Sequence, residues 1–132
     1  MLIRFPFLAL ILIAYNAVAF FSTLSWDMTI FELSMVSGAV WRLDLSGLML
    51  IAALLMLFIE LIKATRTDSS SLWDHALSTL VFILFLIEFL LLPQAATTVF
   101  FLLTLIALID VIAGYSITIR AARRDFAVGG HS

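Results

Sequence analysis

Within the long apolar runs of this chain, four polar side chains are the residues best placed to do chemistry: Asn16, Glu60, Glu88 and Asp110. A charged group inside a membrane-spanning helix costs roughly 2.5–3.5 kcal/mol on insertion scales, so each carboxylate needs a partner or a function. Intramembrane carboxylates typically bind a proton or a cation during transport. The alternative for each is a structural hydrogen bond between helices.

Spacing along the chain suggests partners for two of these carboxylates. Lys63 follows Glu60 by three residues, which predicts an ion pair on one helical face. Asp110 lies ten residues from Arg120 and Asn16 lies twelve from Arg4, so antiparallel helices would place both near the membrane midplane. We therefore expect an Asp110–Asn16 hydrogen bond, and a proton or cation site at Asp110 is the functional alternative.

The third carboxylate, Glu88, lies about one turn before the end of its apolar run. At that height it is expected to meet Arg42 or to accept hydrogen bonds from the backbone near Asp44, where the second apolar run begins. Small residues in the same runs, such as Ala53 and Gly114, fall on the faces that carry the polar side chains. That pattern is typical of closely packed helix interfaces.

Other kinds of chemistry find no support in the residue types present. The chain has no cysteine, so a disulfide, a thiolate metal site and a cysteine nucleophile are all excluded. Of its two histidines, His131 lies in the C-terminal tail and His75 near a membrane interface, so neither a bis-histidine haem nor a two-histidine metal site is expected. Catalytic triads, phosphate loops and basic-aromatic nucleic-acid surfaces are also missing. We expect no enzyme activity, no cofactor and no nucleic-acid partner.

Composition identifies the class of protein. Of the 132 residues, 64% are hydrophobic and 12% are charged, and mean hydropathy is +1.22, whereas soluble domains are roughly 45–50% apolar. We predict an all-α membrane protein with four transmembrane helices as two helical hairpins, in one domain over 1–126 with a flexible tail over 127–132. The predicted spans are 5–24, 45–64, 72–92 and 97–120. The first resembles a signal peptide through Arg4 and the triplet AVA at 17–19, but its apolar run continues to Leu24, which favours a retained span.

Orientation follows from the basic residues. With both termini in the cytoplasm, six of the seven lysines and arginines fall on the cytoplasmic side and only Arg42 falls outside. We therefore expect a multi-pass membrane protein with both termini in the cytoplasm. In this orientation the segment between the first two spans is extracytoplasmic.

That segment, residues 30–44, alternates apolar and polar residues and predicts a β-hairpin. A three-residue loop ending at Gly38 suits a type I turn followed by a left-handed residue. The resulting register pairs Glu32 with Arg42 in a cross-strand ion pair on one face. The opposite face is apolar and carries Phe31, Leu33, Met35, Trp41 and Leu43.

An isolated hairpin is marginal in water, so its apolar face requires a surface to pack on. That surface is either the outer end of the helices and the lipid headgroups, or a partner protein. The partners expected for the whole chain are therefore membrane lipids and either a second copy or another membrane protein.

Three stretches, SGAVWRLDLSGLML, DHALSTLVFI and FFLLTLIALIDVIAGYSITIRAARRDF, resemble a set of uncharacterised small bacterial inner-membrane proteins with four spans. The resemblance extends over the whole chain and implies the same layout without any activity. The layout is loosely similar to that of claudin-type proteins, whose tryptophan and paired-cysteine signature is absent here. Small multidrug transporters share the size and span count, but they carry a glutamate in the first span where this chain has Asn16.

Two functional hypotheses follow from the sequence. The first is a non-enzymatic integral membrane protein, a homo-oligomer or an accessory subunit of a membrane complex, that uses the hairpin as its recognition surface. The second is a small proton- or cation-linked transporter or channel that uses Asp110, together with Asn16 and Glu88.

Overall fold

The computed structural model describes residues 5–65 and 70–129, with no side chains described at 70, 71, 118 and 121–129. This part of the chain contains four α-helices and one antiparallel β-hairpin, which lies between the first two helices. The elements are α1 (Leu8–Phe21), β1 (Thr29–Ser34), β2 (Val40–Asp44), α2 (Leu45–Lys63), α3 (Ser70–Leu91), a short 3-10 helix (Pro93–Ala95) and α4 (Thr98–Gly129). The last three residues of the predicted tail, 130–132, lie outside the described residues.

Three helical segments are long and apolar enough to cross a membrane: Leu45–Lys63, Leu72–Leu91 and Thr98–Ile117. At 1.5 Å per residue, segments of 19 or 20 residues extend about 28–30 Å, which is the thickness of a hydrocarbon core. Many of their large apolar side chains are exposed, among them Leu55, Phe58, Leu90 and Ile112. These segments match the second, third and fourth predicted spans.

The first predicted span is only partly helical. α1 has 14 residues, about 21 Å of helix, against the 20 residues expected over 5–24. The helix stops at Phe21 because Ser22 adopts an extended conformation and its hydroxyl accepts a hydrogen bond from the Leu24 amide at 2.9 Å. Serine side chains compete in this way with the helical hydrogen-bond pattern.

The hairpin has the predicted register. Phe31 faces Leu43, Glu32 faces Arg42 and Leu33 faces Trp41 across the two strands. At the turn, the Gly38 amide donates to the Met35 carbonyl at 3.0 Å, and the Met35 amide donates to the Ala39 carbonyl at 2.7 Å. Gly38 has a φ of +92°, which explains why the turn needs glycine there.

The hairpin is joined to α2 without a linker, since β2 ends at Asp44 and α2 begins at the next residue. The Asp44 carboxylate caps α2 by accepting the Gly47 amide at 2.7 Å. The Ser46 amide and hydroxyl both donate to the Trp26 carbonyl, at 3.0 and 3.1 Å. These contacts tie the hairpin and the preceding loop to one end of the helices, which we call the hairpin end.

The core lies between α4 and the other helices. Its largest fully buried side chains are Tyr15, Phe85, Phe100 and Leu103. Phe100 of α4 contacts the rings of Tyr15 and Phe85, with centroids 4.7 and 5.4 Å apart. These aromatic contacts join α1, α3 and α4 toward the hairpin end of the bundle.

Small residues allow close helix packing at the opposite end, as the sequence predicts. A Cβ atom placed on Gly114 of α4 would lie 3.2 Å from Cε1 and 3.3 Å from Nδ1 of His75 on α3. Those distances leave no room for a larger side chain. Ala53 of α2 is likewise fully buried.

Candidate functional site

A buried polar cluster lies where α2, α3 and α4 meet, near the end of the bundle that is remote from the hairpin. We call it the Glu60 cluster, and it comprises Glu60, Lys63, Ser78 and Asp110. Glu60, Ser78 and Asp110 are each exposed by no more than 5%. Polar groups at such depth require partners, because desolvation without a hydrogen bond is costly.

Glu60 is the centre of this cluster. Its Oε1 atom accepts the Phe7 amide at 2.7 Å and lies 3.3 Å from Lys63 Nζ, while its Oε2 accepts the Ser78 hydroxyl at 3.5 Å. Phe7 is the N-cap of α1, so the carboxylate satisfies an amide that has no acceptor within its own helix. Glu60 therefore joins the start of α1 to α2 and α3.

Lys63 completes the junction. Its ammonium group donates to the Phe5 carbonyl and lies 4.7 Å from the centre of the Phe7 ring, in a cation–π arrangement. The side chains of Lys63 and Glu60 are only 10% and 3% exposed, so the predicted i,i+3 pair is buried within the protein.

Asp110 belongs to the Glu60 cluster and makes no hydrogen bond with Asn16. Its carboxyl group lies within reach of the Ser78 hydroxyl and close to both Glu60 and Lys63. The predicted Asn16–Asp110 hydrogen bond is therefore wrong. The reason is helix offset: Phe7 lies at the level of Glu60, so Asn16, nine residues later, lies about 13 Å closer to the hairpin end.

Asn16 instead pairs with Glu88 of α3. Its Nδ2 donates to Glu88 Oε1 at 3.0 Å, and both side chains are half-buried. Asn16 Oδ1 and Glu88 Oε2 are buried and make no hydrogen bond. Neither partner that the sequence suggested for Glu88 is used, since Arg42 pairs within the hairpin and Asp44 supplies its own cap.

Sequence reasoning missed several buried polar residues. Tyr15 is fully buried, and its hydroxyl donates to the Gln94 carbonyl at 3.0 Å and contacts Thr97 Oγ1 at 2.8 Å. Asp74 and His75 are also buried, although His75 was expected at an interface. The available signal was a tyrosine in the middle of the first apolar run, since a buried tyrosine hydroxyl needs a partner.

The hairpin forms the second candidate site because most of its side chains are exposed. Every β1 side chain is exposed, and in β2 only Leu43 and Asp44 are half-buried. On the apolar face, Phe31, Leu33 and Trp41 remain between 42% and 48% exposed. On the other face, Arg42 Nε lies 3.3 Å from Glu32 Oε1, with both side chains largely exposed.

The arrangement defines a small helical protein with three helices of membrane-spanning length, a buried carboxylate cluster and an exposed hairpin. Searches of protein-family models, curated proteins and solved structures found no match to this chain. Within residues 5–65 and 70–129, no group of three histidine, cysteine, aspartate or glutamate side chains is arranged to hold a metal ion.

Proposed function

We propose that this chain is a non-enzymatic integral membrane protein of the bacterial inner membrane, acting as a homo-oligomer or as an accessory subunit of a membrane complex. The hairpin is its recognition surface. The observation that carries the proposal is the exposed apolar face of Phe31, Leu33 and Trp41, on a hairpin fixed directly to α2. Exposed apolar patches of this kind mark interaction sites in other proteins.

The membrane setting rests on the three long apolar helices and on charge distribution. Six of seven basic residues fall on the side away from the hairpin when both termini are cytoplasmic. The hairpin is then extracytoplasmic, where Trp26 and Trp41 suit the membrane interface.

We propose that the apolar face of the hairpin binds a second copy of this chain. The apolar face carries no charged side chain, because Glu32 and Arg42 lie on the opposite face of the hairpin. Two identical faces related by a two-fold axis therefore meet without like-charge repulsion, and each covers the apolar side chains of the other. Both hairpins are held at the same height by their junction with α2.

The test uses single cysteines, which the cysteine-free sequence makes specific. Ala39→Cys places a thiol on the apolar face, where Ala39 hydrogen-bonds Met35 across the turn. Ser34→Cys places one on the polar face opposite Val40. In isolated membranes, a short thiol cross-linker should convert Ala39→Cys into covalent dimers and leave Ser34→Cys monomeric.

Both positions are exposed, so reactivity toward a soluble maleimide serves as the control for access. Equal cross-linking of the two variants, or of neither, contradicts a dimer built on the apolar face. If Ala39→Cys cross-links only to a different membrane protein, the hairpin does not bind a second copy. The protein would then be an accessory subunit.

A second candidate function is proton- or cation-linked transport through Asp110. It is favoured by one observation: Asp110 shares a buried cluster with Glu60, Ser78 and Lys63 at the meeting point of three long helices. Buried carboxylates of this kind often bind the coupling ion in transporters. Asn16 and Glu88 lie about 13 Å away along the bundle and form a separate pair.

Asp110→Asn tests the transport hypothesis. The substitution keeps the volume and a hydrogen-bonding group beside Ser78 but removes the titratable carboxyl. If Asp110 carries the ion, proton or cation flux into proteoliposomes should fall to background while helix content is unchanged. Glu88→Gln is the matched control and should retain flux. Equal flux in wild type and Asp110→Asn, or no flux in wild type, excludes this function.

A further inference from the structure

Two adjoining cavities open at the hairpin end, around the start of α4. The first has a volume of about 500 Å³ and is lined by Leu24, Ser25, Trp26, Asp27, Ser46, Thr97, Thr98 and Val99. The second, of about 400 Å³, is lined by Phe89, Ala96, Thr97, Thr98 and Phe101. Both are open depressions and not enclosed pockets, so they suit a ligand that the protein covers only in part.

The first cavity combines a carboxylate with an aromatic ring. Asp27 is exposed, and neither ion pair in the described part of the chain involves it. Trp26 is held in place because its ring stacks on Tyr15 with centroids 4.5 Å apart, and its carbonyl accepts two hydrogen bonds from Ser46. A carboxylate next to a tryptophan ring suits an ammonium group, through charge pairing and a cation–π contact.

The first cavity is also lined by the start of α4, which provides hydrogen-bond donors. Thr98 and Val99 are the first residues of α4, and the amides of a first helical turn have no acceptor within the helix. The Phe100 amide is already capped by Thr97 Oγ1 at 3.2 Å. The Thr98 hydroxyl and these two amides remain to meet an anionic group such as a phosphate.

The second cavity continues the first along the bundle. Thr97 and Thr98 line both cavities, so they form the border between a polar compartment and an aromatic one. Phe89 and Phe101 line the aromatic compartment, and their rings lie 5.6 Å apart. The pair of cavities is therefore polar at the hairpin end and apolar toward the exposed faces of α3 and α4.

We propose that these cavities bind one phospholipid with an amine-bearing headgroup, such as phosphatidylethanolamine. The ammonium lies against Asp27 and Trp26, the phosphate at the start of α4, and the upper part of one acyl chain against the outer surface of the Phe89 and Phe101 pair. The proposal rests on the membrane setting of the proposed function, but it is independent of what the hairpin binds.

The test uses Trp26 as a reporter in a variant with Trp41→Phe and Trp73→Phe, which leaves Trp26 as the sole tryptophan. The Trp41→Phe substitution in this background also weakens the apolar face of the hairpin. Every lipid measurement is made in this same background, so the comparison between variants does not depend on self-association. Phosphatidylethanolamine with brominated acyl chains is titrated into the detergent-solubilised protein, and quenching of Trp26 fluorescence is recorded. We expect saturable quenching, and about threefold to fivefold weaker binding of brominated phosphatidylglycerol, which lacks the amine.

Two substitutions separate the parts of the site. Asp27→Asn should remove the preference for phosphatidylethanolamine over phosphatidylglycerol, whereas Glu32→Gln, at another exposed acid, should preserve it. Thr98→Phe fills the border between the cavities and should abolish saturable quenching of Trp26, whereas Leu90→Phe on an exposed helical face should not. Circular dichroism checks that each variant keeps its helix content.

Quenching that rises linearly with lipid, does not distinguish the two headgroups or is unaffected by Thr98→Phe overturns the lipid site. Such a result leaves the hairpin proposal standing, because cross-linking through Ala39→Cys is measured without added lipid. Conversely, saturable quenching in a protein whose hairpins fail to cross-link supports the lipid site and contradicts only the dimer.

Discussion

Replacing Glu60 with alanine should lower the free energy of unfolding by about 3–5 kcal/mol, because it removes a buried carboxylate that pairs with Lys63 and bonds two other groups. The same change removes the acceptor of the Phe7 amide, which is bound at 2.7 Å, and frees the Ser78 hydroxyl from Oε2. The start of α1 should therefore detach from α2 first. Thermal or denaturant unfolding in mild detergent, followed by circular dichroism, measures the loss.

Two further variants show which contact of Glu60 accounts for the loss of stability. Glu60→Gln keeps an oxygen for the Phe7 amide but removes the charge that pairs with Lys63, so its loss of stability should be intermediate. The double variant Glu60→Leu with Lys63→Met replaces the whole ion pair by apolar groups, and it should recover much of the stability lost in Glu60→Ala. A loss below about 1 kcal/mol in Glu60→Ala would show that the cluster does not hold α1, since exposed ion pairs contribute no more than that.

Gly114→Leu is the second substitution with a large expected effect. A Cβ atom at position 114 already comes within 3.2 Å of the His75 ring, so a branched side chain there must push α4 away from α3. Overpacking of this kind costs about 1–3 kcal/mol or more. Separation of these helices also disturbs Ser78 and Asp110, which lie further along the same interface.

Ser116→Leu provides the matched control, because it adds the same side chain two residues later at an exposed position of α4. It should leave the unfolding midpoint nearly unchanged. Gly114→Ala should lie between the two, since the tight Cβ contact offsets the gain of up to about 1 kcal/mol in helix propensity. Equal midpoints for Gly114→Leu and Ser116→Leu would contradict the close contact with His75.

The hairpin could be predicted in detail because its register and its turn are determined by residues that are close together in the sequence. Alternation fixes which residues share a face, and a one-residue slip would exchange the two faces, so the pairing of Glu32 with Arg42 follows from the pattern. Gly38 could be assigned to the last position of the turn because that position favours glycine, and the structure gives it a φ of +92°. The three long helices were predictable for a similar reason, since continuous apolar runs define them.

The pairing of the buried polar residues was not predictable because it depends on how the helices are offset along the bundle. Counting from Arg4 placed Asn16 beside Asp110, whereas the junction of Phe7 with Glu60 moves Asn16 to the level of Glu88. Residue spacing gives distances along one helix, but the offset between two helices is set by tertiary contacts. The partners of Tyr15 depend on the same offset, since Gln94 and Thr97 lie in the connection between α3 and α4.

The mass of the protein–detergent particle tests the central claim most directly. Wild-type protein purified in a mild detergent, with the detergent contribution subtracted, should have a mass of two copies of the 14.7 kDa chain. The double variant Leu33→Ala with Trp41→Ala should have the mass of one copy, whereas exchange of the ion pair, Glu32→Arg with Arg42→Glu, should retain two. A wild-type particle containing a single copy and no companion protein would contradict recognition through the hairpin, as would a double variant whose mass matches that of the wild type.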